Sequence, residues 1–163
     1  MSNYITRYFT QHHGQSATRD SWRSVDVNGE PIPWMTYAAI FQLEQFDLSQ
    51  CDIFECGSGY STLYWAKRCR EITSIEHDTD WIEFVRQRPQ PNLVCNPAPL
   101  DEYATIIDNY NRSFDVIIID GYIQNGMRKC CAERAIPHLR EGGLLILDNS
   151  DWLANTCEFL RDA

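Results

Sequence analysis

The chain has 163 residues, a length typical of one domain with its own hydrophobic core. Acidic residues (23) outnumber basic ones (14) and give a net charge of −9, so we expect no nucleic-acid partner, because binding a phosphate backbone depends on lysine and arginine. No apolar run reaches about 18 residues and the start is polar, so we expect no membrane span, no secretion and a cytoplasmic location. The seven cysteines lack zinc-site spacing and are interpreted as reduced.

Residues 1–32 form a polar segment, which we interpret as a lid or a loose terminus. Helical spacing follows from Pro33, and a regular alternation of strands and helices begins at residue 52. Strands are predicted over residues 52–56, 72–76, 92–95, 114–120 and 144–147. The intervening helices are predicted over residues 60–70, 78–87, 100–110 and 125–139, with another from residue 151.

The run at residues 114–120 is β-branched without alternation, which is typical of a central parallel strand covered on both faces. Five strands alternating with helices predict an α/β fold: a Rossmann-like, open, mostly parallel sheet with helices on both faces. We place this domain at residues 33–163 and expect that the last C-terminal strands of such a domain are missing from the sequence. A ligand is expected at the carboxyl ends of the strands.

A glycine turn joins the first strand to its helix, with the sequence Glu55, Cys56, Gly57, Ser58, Gly59, Tyr60 and Ser61. Glycines in such a turn let the main chain approach a ligand closely, and N–H groups at the helix start suit a carboxylate or polar edge. Glu55 suits an ammonium group or a bridging water. A tight turn also uses glycine for purely structural reasons, so this element leaves both alternatives open.

Glu76 ends the second strand, where a carboxylate can accept hydrogen bonds from both hydroxyls of a ribose. A favourable charge on the next helix is the alternative, and the glycine turn favours the ribose. The neighbouring His77 is a candidate for contact with an adenine or else a solvated loop residue. Thr62 stands where a dinucleotide-binding turn has its third glycine, which counts against NAD.

The succession over residues 52–80 resembles motifs I and II of the class I methyltransferases that depend on S-adenosyl-L-methionine (SAM). Residues 114–121 and 139–149 resemble the fourth and fifth strands of that family, so the resemblance covers about residues 50–160. It implies SAM as the cofactor, with the ribose held by Glu76 and with Asp120 near the methionine end. With the turn and strand end considered above, the predicted cofactor-binding residues are Glu55, Gly57, Ser58, Gly59, Tyr60, Ser61, Glu76, His77 and Asp120.

Oxygen-bearing side chains end the fourth strand (Asp120) and the fifth (Asp148 and Asn149). Such ligands suit Mg²⁺, and the arrangement resembles the cation-dependent O-methyltransferases, such as the catechol and caffeoyl-CoA enzymes. The resemblance implies that these three residues bind metal and that Asp120 is catalytic; capping of the next helix is the alternative. Ile123 replaces the lysine of those enzymes, which leaves Lys129 or a histidine as the base.

The sequence therefore predicts an enzyme that transfers the methyl group of SAM to a small-molecule acceptor. A hydroxyl oxygen is the first candidate atom and nitrogen the second, and Mg²⁺ is a second candidate cofactor. An NAD(P)-dependent oxidoreductase and a catalytically inactive nucleotide-binding domain are the alternatives, and the oligomeric state is left open. Aromatic residues expected around the acceptor are Trp34, Tyr37, Tyr60, Tyr122 and Trp152.

Overall fold

The computed structural model describes residue 11 and residues 14–163, without the side chains of Ser16 and Ala17. The part of the predicted N-terminal segment at residues 1–10 and 12–13 lies outside this range. The helices are α1 (Gln15–Ser21), α2 (Tyr37–Leu43), α3 (Tyr60–Ala66), α4 (Thr79–Arg86), α5 (Met127–Ala135) and α6 (Ala154–Asp162). The strands are β1 (Asp52–Cys56), β2 (Glu71–Glu76), β3 (Leu93–Pro97), β4 (Phe114–Ile119) and β5 (Leu139–Leu147).

The five strands form one sheet in the order β3-β2-β1-β4-β5, and every neighbouring pair is parallel. Chain order reverses at β1, which lies between β2 and β4. Loops that leave β1 and β4 therefore diverge in opposite directions and open a crevice at the carboxyl ends of these strands. The predicted Rossmann-like sheet is confirmed.

Two apolar cores cover the faces of the sheet, as expected when central strands are long apolar runs. One core packs Phe54 and Ile117 against α5 and α6, and the other packs Ile53 and Ile118 against α2 and α3. Consecutive residues of β1 and β4 thus point to opposite sides. Both central strands are held firmly, which fixes the position of their carboxyl ends.

The structure corrects the boundary between the last predicted helix and β5. The α-helix ends at Ala135, a short 3₁₀ turn follows, and β5 begins at Leu139 instead of residue 144. Gly142 has a φ of 74°, and the pairing register with β4 shifts between Phe114 and Val116, so the two glycines make a bulge inside the strand. Residues 100–110 were wrongly predicted as a helix, because only a 3₁₀ turn at Ile106–Asn109 forms there.

The region before β1 is more ordered than its polar composition indicates. Helix α1 lies at Gln15–Ser21, and α2 begins after Thr36, whose hydroxyl accepts a hydrogen bond from the N–H of Ala39. The predicted helix start at Pro33 was therefore too early. Among the described residues, no helix is long and apolar enough to cross a membrane.

Candidate cofactor site at the carboxyl ends of the strands

A cavity of about 290 Å³ lies in the crevice between β1, β2 and β4. Its volume is close to the lower end of the usual range for small-molecule sites. Except for Glu55, the residues predicted to bind the cofactor all line it: Gly57, Ser58, Gly59, Tyr60, Ser61, Glu76, His77 and Asp120. The fold thus gathers residues from three strand ends around one space.

The two glycines of the turn differ in their structural roles. Gly57 has a φ of 99°, and a Cβ there would lie 2.7 Å from the Cα of Gly121, so only glycine fits between the loops after β1 and β4. Gly59 has an extended φ of 174°, and a Cβ there would meet the Trp81 ring at 3.6 Å, an ordinary contact. Gly57 is required by the fold, whereas position 59 has room for a Cβ.

Glu55 lies beneath the turn and is fully buried, so direct contact with a cofactor, as the sequence indicated, does not fit its position. Its carboxylate accepts hydrogen bonds from the hydroxyls of Ser61 (2.7 Å), Thr62 (2.5 Å) and Ser74 (2.8 Å). The Thr62 hydroxyl also accepts the N–H of Gly59 at 2.8 Å. Thr62 therefore anchors the turn, which explains its presence where a third glycine was sought.

The environment of Glu55 contains hydroxyl donors, and the structure gives its carboxylate no ion pair among the described residues. Burial raises the pKa of Glu55 from 4.5 to about 7; the three hydroxyl hydrogen bonds oppose this increase and the nearby Glu76 adds to it. The glycine turn thus packs on a carboxyl group that changes its protonation state near neutral pH.

Glu76 lies at the end of β2 and is anchored by main-chain groups. One carboxylate oxygen, Oε1, accepts the N–H groups of His77 (2.7 Å) and Asp78 (2.8 Å), and Oε2 accepts the N–H of Ser58 at 2.8 Å. Nδ1 of His77 lies 2.6 Å from Oε1. A carboxylate oxygen can accept two hydrogen bonds, so Oε2 has capacity for one more.

Aromatic rings form the walls on either side of Glu76. The His77 ring packs edge-to-face on Tyr122, with ring centroids 5.0 Å apart. On the other side the Tyr60 ring packs at a tilt against Phe84, with ring centroids 4.7 Å apart, and meets Trp81 edge-to-face at 6.2 Å. These flat side chains give the cavity apolar walls around a polar floor, which suits a ligand with a heterocyclic base.

Asp120, Asp148 and Asn149 lie close together, as predicted, but the guanidinium of Arg128 lies among them. It is 3.3 Å from Oδ1 of Asp120, 4.0 Å from Oδ2 of Asp148 and 3.0 Å from Oδ1 of Asn149. Burial, with the neighbouring Asp148 carboxyl, raises the pKa of Asp120 well above its usual range, and the charge of Arg128 opposes this.

This arrangement does not fit the Mg²⁺ ion that the sequence implied. The oxygens expected to ligate the metal already face a cation that belongs to the protein, and a second cation beside it would be repelled. Over residue 11 and residues 14–163, no group of three or more His, Cys, Asp or Glu side chains is arranged to hold a metal ion.

The base candidates of the sequence analysis differ in position. Lys129 forms an exposed ion pair with Glu133 on the same helix. His138 lies by Asp108 at the opposite end of the sheet, where the Nε2–Oδ1 distance is 3.1 Å. His77 and Asp120 line the cavity.

Sequence reasoning missed Arg128, Trp81 and Ser24, of which the last two line the cavity. Arg128 lies in the first turn of the helix α5, where the helix dipole disfavours a cation, but Lys129 shares that turn, so the sequence did not single Arg128 out. Trp81 lies on the helix that follows Glu76, close enough in sequence to have been considered. Ser24 precedes the sheet by many residues, and only tertiary structure places it here.

Two further cavities adjoin the first at Trp34. One, of about 590 Å³, lies beside α1 and α2 and is walled by Trp22 and Tyr37. The other, of about 610 Å³, lies between α2 and the end of β5 and reaches Asp148 and Asn149. Trp34 lines all three cavities. Trp152, also expected near an acceptor, lines none of these three and is 71% exposed.

Comparison with solved structures shows a shared fold. A glycopeptide N-methyltransferase, MtfA, matches with a TM-score of 0.51 and 16% identity over 69% of this chain and 54% of its own. A Pseudomonas syringae protein assigned to the methyltransferases matches with a TM-score of 0.54 and 22% identity, over 66% of this chain and 70% of its own. DhpI, solved with S-adenosylhomocysteine (SAH), matches with a TM-score of 0.51 and 16% identity, over 68% of this chain and 53% of its own.

The chain therefore spans about half the length of the first structures that it matches. No curated protein matches it in sequence. A family model described as a methyltransferase domain matches residues 54–150, more than half of the chain. That segment runs from β1 to just after β5 and contains the glycine turn, Glu76 and Asp120. This chain belongs to the methyltransferase domain family.

Proposed function

We propose that this chain is a SAM-dependent methyltransferase that acts on a small-molecule acceptor. The observation that supports the proposal most strongly is the single cavity that joins the glycine turn, Glu76 and Asp120. Bound SAM would supply an activated methyl group on its sulfonium. The protein would position the acceptor, exclude water and receive a proton from the acceptor.

Glu76 is the proposed ribose ligand, because it lines the cavity and its Oε2 accepts one hydrogen bond, from the N–H of Ser58, of the two that a carboxylate oxygen can accept. The adenine of the cofactor would lie between His77 and Trp81, and its methionine part would lie along Gly57 toward Asp120. Ser61 lines the same wall. The donor set and the aromatic walls thus fit a nucleoside with a charged tail.

The acceptor site is proposed at Trp34, where the two larger cavities reach the cofactor cavity. The centroids of the Trp22 and Trp34 rings lie 5.9 Å apart with an angle of 37° between the ring planes, and the two rings offer an apolar surface. A hydroxyl oxygen remains the first candidate atom, with nitrogen as the alternative. Asp120 is the proposed proton acceptor, because it is the carboxyl on the β4 side of the cofactor cavity.

Calorimetric titration with SAH tests the cofactor site. We expect binding by the native chain and at least about tenfold weaker binding by Glu76→Ala. The variant loses a hydrogen bond to a charged group, which contributes at least about 1.4 kcal/mol, and that energy corresponds to a factor of ten in affinity. Glu71→Ala is the matched control, because Glu71 begins the same strand and pairs with Arg112 away from the cavity. Equal affinities for both variants would contradict the proposed role of Glu76.

The same titration separates the alternatives. A folded chain that binds NAD but not SAH would be an oxidoreductase-like domain. Binding of SAH without methyl transfer to any hydroxyl or amine in a broad panel of small molecules would favour an inactive nucleotide-binding domain. Release of SAH from SAM, with a methylated product identified by mass, would establish the enzyme.

The acceptor pocket can be assigned with two variants that leave the cofactor cavity untouched. Trp22 lines only the cavity beside α1, and Ala39 lines only the cavity beside β5. We expect Trp22→Ala to lower kcat/KM for the acceptor about tenfold through lost apolar contact while SAH affinity stays unchanged. If Ala39→Leu lowers kcat/KM for the acceptor and Trp22→Ala does not, the acceptor lies beside β5.

A further inference from the structure

Arg128 is a buried cation whose hydrogen bonds join the ends of two strands. Its side chain is 6% exposed. Nε donates to the carbonyl of Gly121 (3.0 Å), and Nη1 donates to the carbonyl of Asp148 (2.8 Å) and to Oδ1 of Asn149 (3.0 Å). Nη2 donates to the carbonyl of Asp120 (3.0 Å) and to its Oδ1 (3.3 Å).

All five N–H groups of a guanidinium are therefore satisfied, each by a different oxygen. Burying a charge is costly unless such partners compensate for it, and the first turn of α5 adds a further cost through the helix dipole. A cation held at that position against both costs indicates that its contacts are specific. Three of the acceptors are main-chain carbonyls, so the side chain fixes the backbone of both strand ends.

The Arg128 guanidinium occupies the position where the sequence predicted a divalent cation. The guanidinium meets oxygens of Asp120, Asp148 and Asn149, which are the residues whose types and spacing implied Mg²⁺. It also holds Gly121, which packs against Gly57 in the wall of the cofactor cavity. One side chain thus places a positive charge beside both carboxyl groups and holds Gly121 in the wall of the cavity.

We infer that Arg128 is a positioning residue that takes the place of a divalent cation at the ends of β4 and β5, so that cofactor binding is independent of metal. This inference rests on the proposed function for its cofactor measurements only. Arg128 lies behind Asp120 and Gly121 instead of lining the cavity, so it acts through those residues.

The test compares the native chain with Arg128→Met by two measurements: SAH affinity by calorimetry, and Mn²⁺ binding by electron paramagnetic resonance. For the native chain we expect the same SAH affinity in EDTA and in Mg²⁺, and no bound Mn²⁺. For Arg128→Met we expect at least tenfold weaker SAH binding and a new signal of bound Mn²⁺, because the oxygens of Asp120, Asp148 and Asn149 are left without a cation. Arg134→Met is the control, since Arg134 lies on the same helix and pairs with Asp108 at the surface.

Mn²⁺ binding by the native chain that Asp148→Asn abolishes would overturn the inference, as would native SAH affinity in Arg128→Met. Should Arg128→Met fail to fold, Arg128→Lys replaces it, since lysine keeps the charge but offers three donors in place of five. Native SAH affinity and melting temperature in that variant would contradict the inference. If the native chain binds no SAH, the proposed function fails, whereas the Mn²⁺ signal and the melting temperatures still test Arg128.

Discussion

Carboxyl groups lie on both sides of the cofactor cavity, Glu55 fully buried and Asp120 partly buried, and their partners differ. Under the turn after β1, Glu55 is surrounded by the hydroxyls of Ser61, Thr62 and Ser74. At the ends of β4 and β5, Asp120 faces the guanidinium of Arg128. The first region stabilises a carboxyl group with neutral dipoles and the second with a charge.

The difference shows how a fold can hold two acids close to one ligand. Burial raises the pKa of Glu55 to about 7, and hydroxyls that rotate can serve either the protonated or the ionised carboxyl, so no counter-ion is needed in either form. A guanidinium cannot change its charge, so the region around Arg128 has fixed donors and a fixed geometry. We expect the first region to change with pH through Glu55, and the second to depend on the Arg128 cation, whose charge opposes the raised pKa of Asp120.

The largest effect is expected from Arg128→Met, which removes the charge from the second region. Breaking a buried pair leaves uncompensated acids and costs about 3–5 kcal/mol of the free energy of unfolding. Urea denaturation measures this cost. Arg134→Met removes an ion pair that is mostly exposed and should cost at most about 1 kcal/mol. Similar losses in the two variants would show that the second region does not depend on its charge.

The next effect is expected at Gly57, where the two regions touch. Gly57→Ala forces a side chain into a φ of 99° and against the backbone of Gly121 at 2.7 Å, at a cost of about 2–4 kcal/mol. Gly59→Ala is the matched control and should stay within about 1 kcal/mol of the native chain, since its Cβ meets Trp81 at 3.6 Å. Thermal unfolding compares them. Equal melting temperatures would contradict close packing between the regions.

The smallest effect is expected from Glu55→Gln, and it depends on pH. The native-state pKa of Glu55 is raised from 4.5 to about 7, so the contribution of this group to stability is full below pH 4.5 and is lost as the pH rises through 7. The loss is at most about 3 kcal/mol by pH 8. Glutamine cannot ionise, so the stability of the variant should fall less over this range. Parallel pH profiles of the melting temperature for both chains would contradict the raised pKa.

Much of the fold could be predicted because its central strands are contiguous apolar runs. β1 was predicted with its observed bounds, and β2 and β4 within one residue. The bulge at Gly142 could not be predicted, since a pair of glycines signals a turn and a bulge equally well.

The candidate site was predicted less completely than the sheet. The strand ends fixed which residues meet at the cavity, so Glu76 and Asp120 were found from sequence alone. The inward position of Arg128 could not be, because α5 carries several charged residues and only contacts with β4 and β5 distinguish this one. The same limit applies to Glu55, whose three hydroxyl partners become neighbours only on folding.

The contact between Gly57 and Gly121 also limits how this protein can evolve. A Cβ at position 121 would lie 2.0 Å from the hydroxyl of Tyr103, and that hydroxyl bonds the carbonyl of Ile75, which also accepts the N–H of Gly57. The three positions 57, 103 and 121 thus form a closed set of mutual constraints. Substitutions among them should be strongly epistatic, so that a change at one becomes acceptable only after another has made room for it.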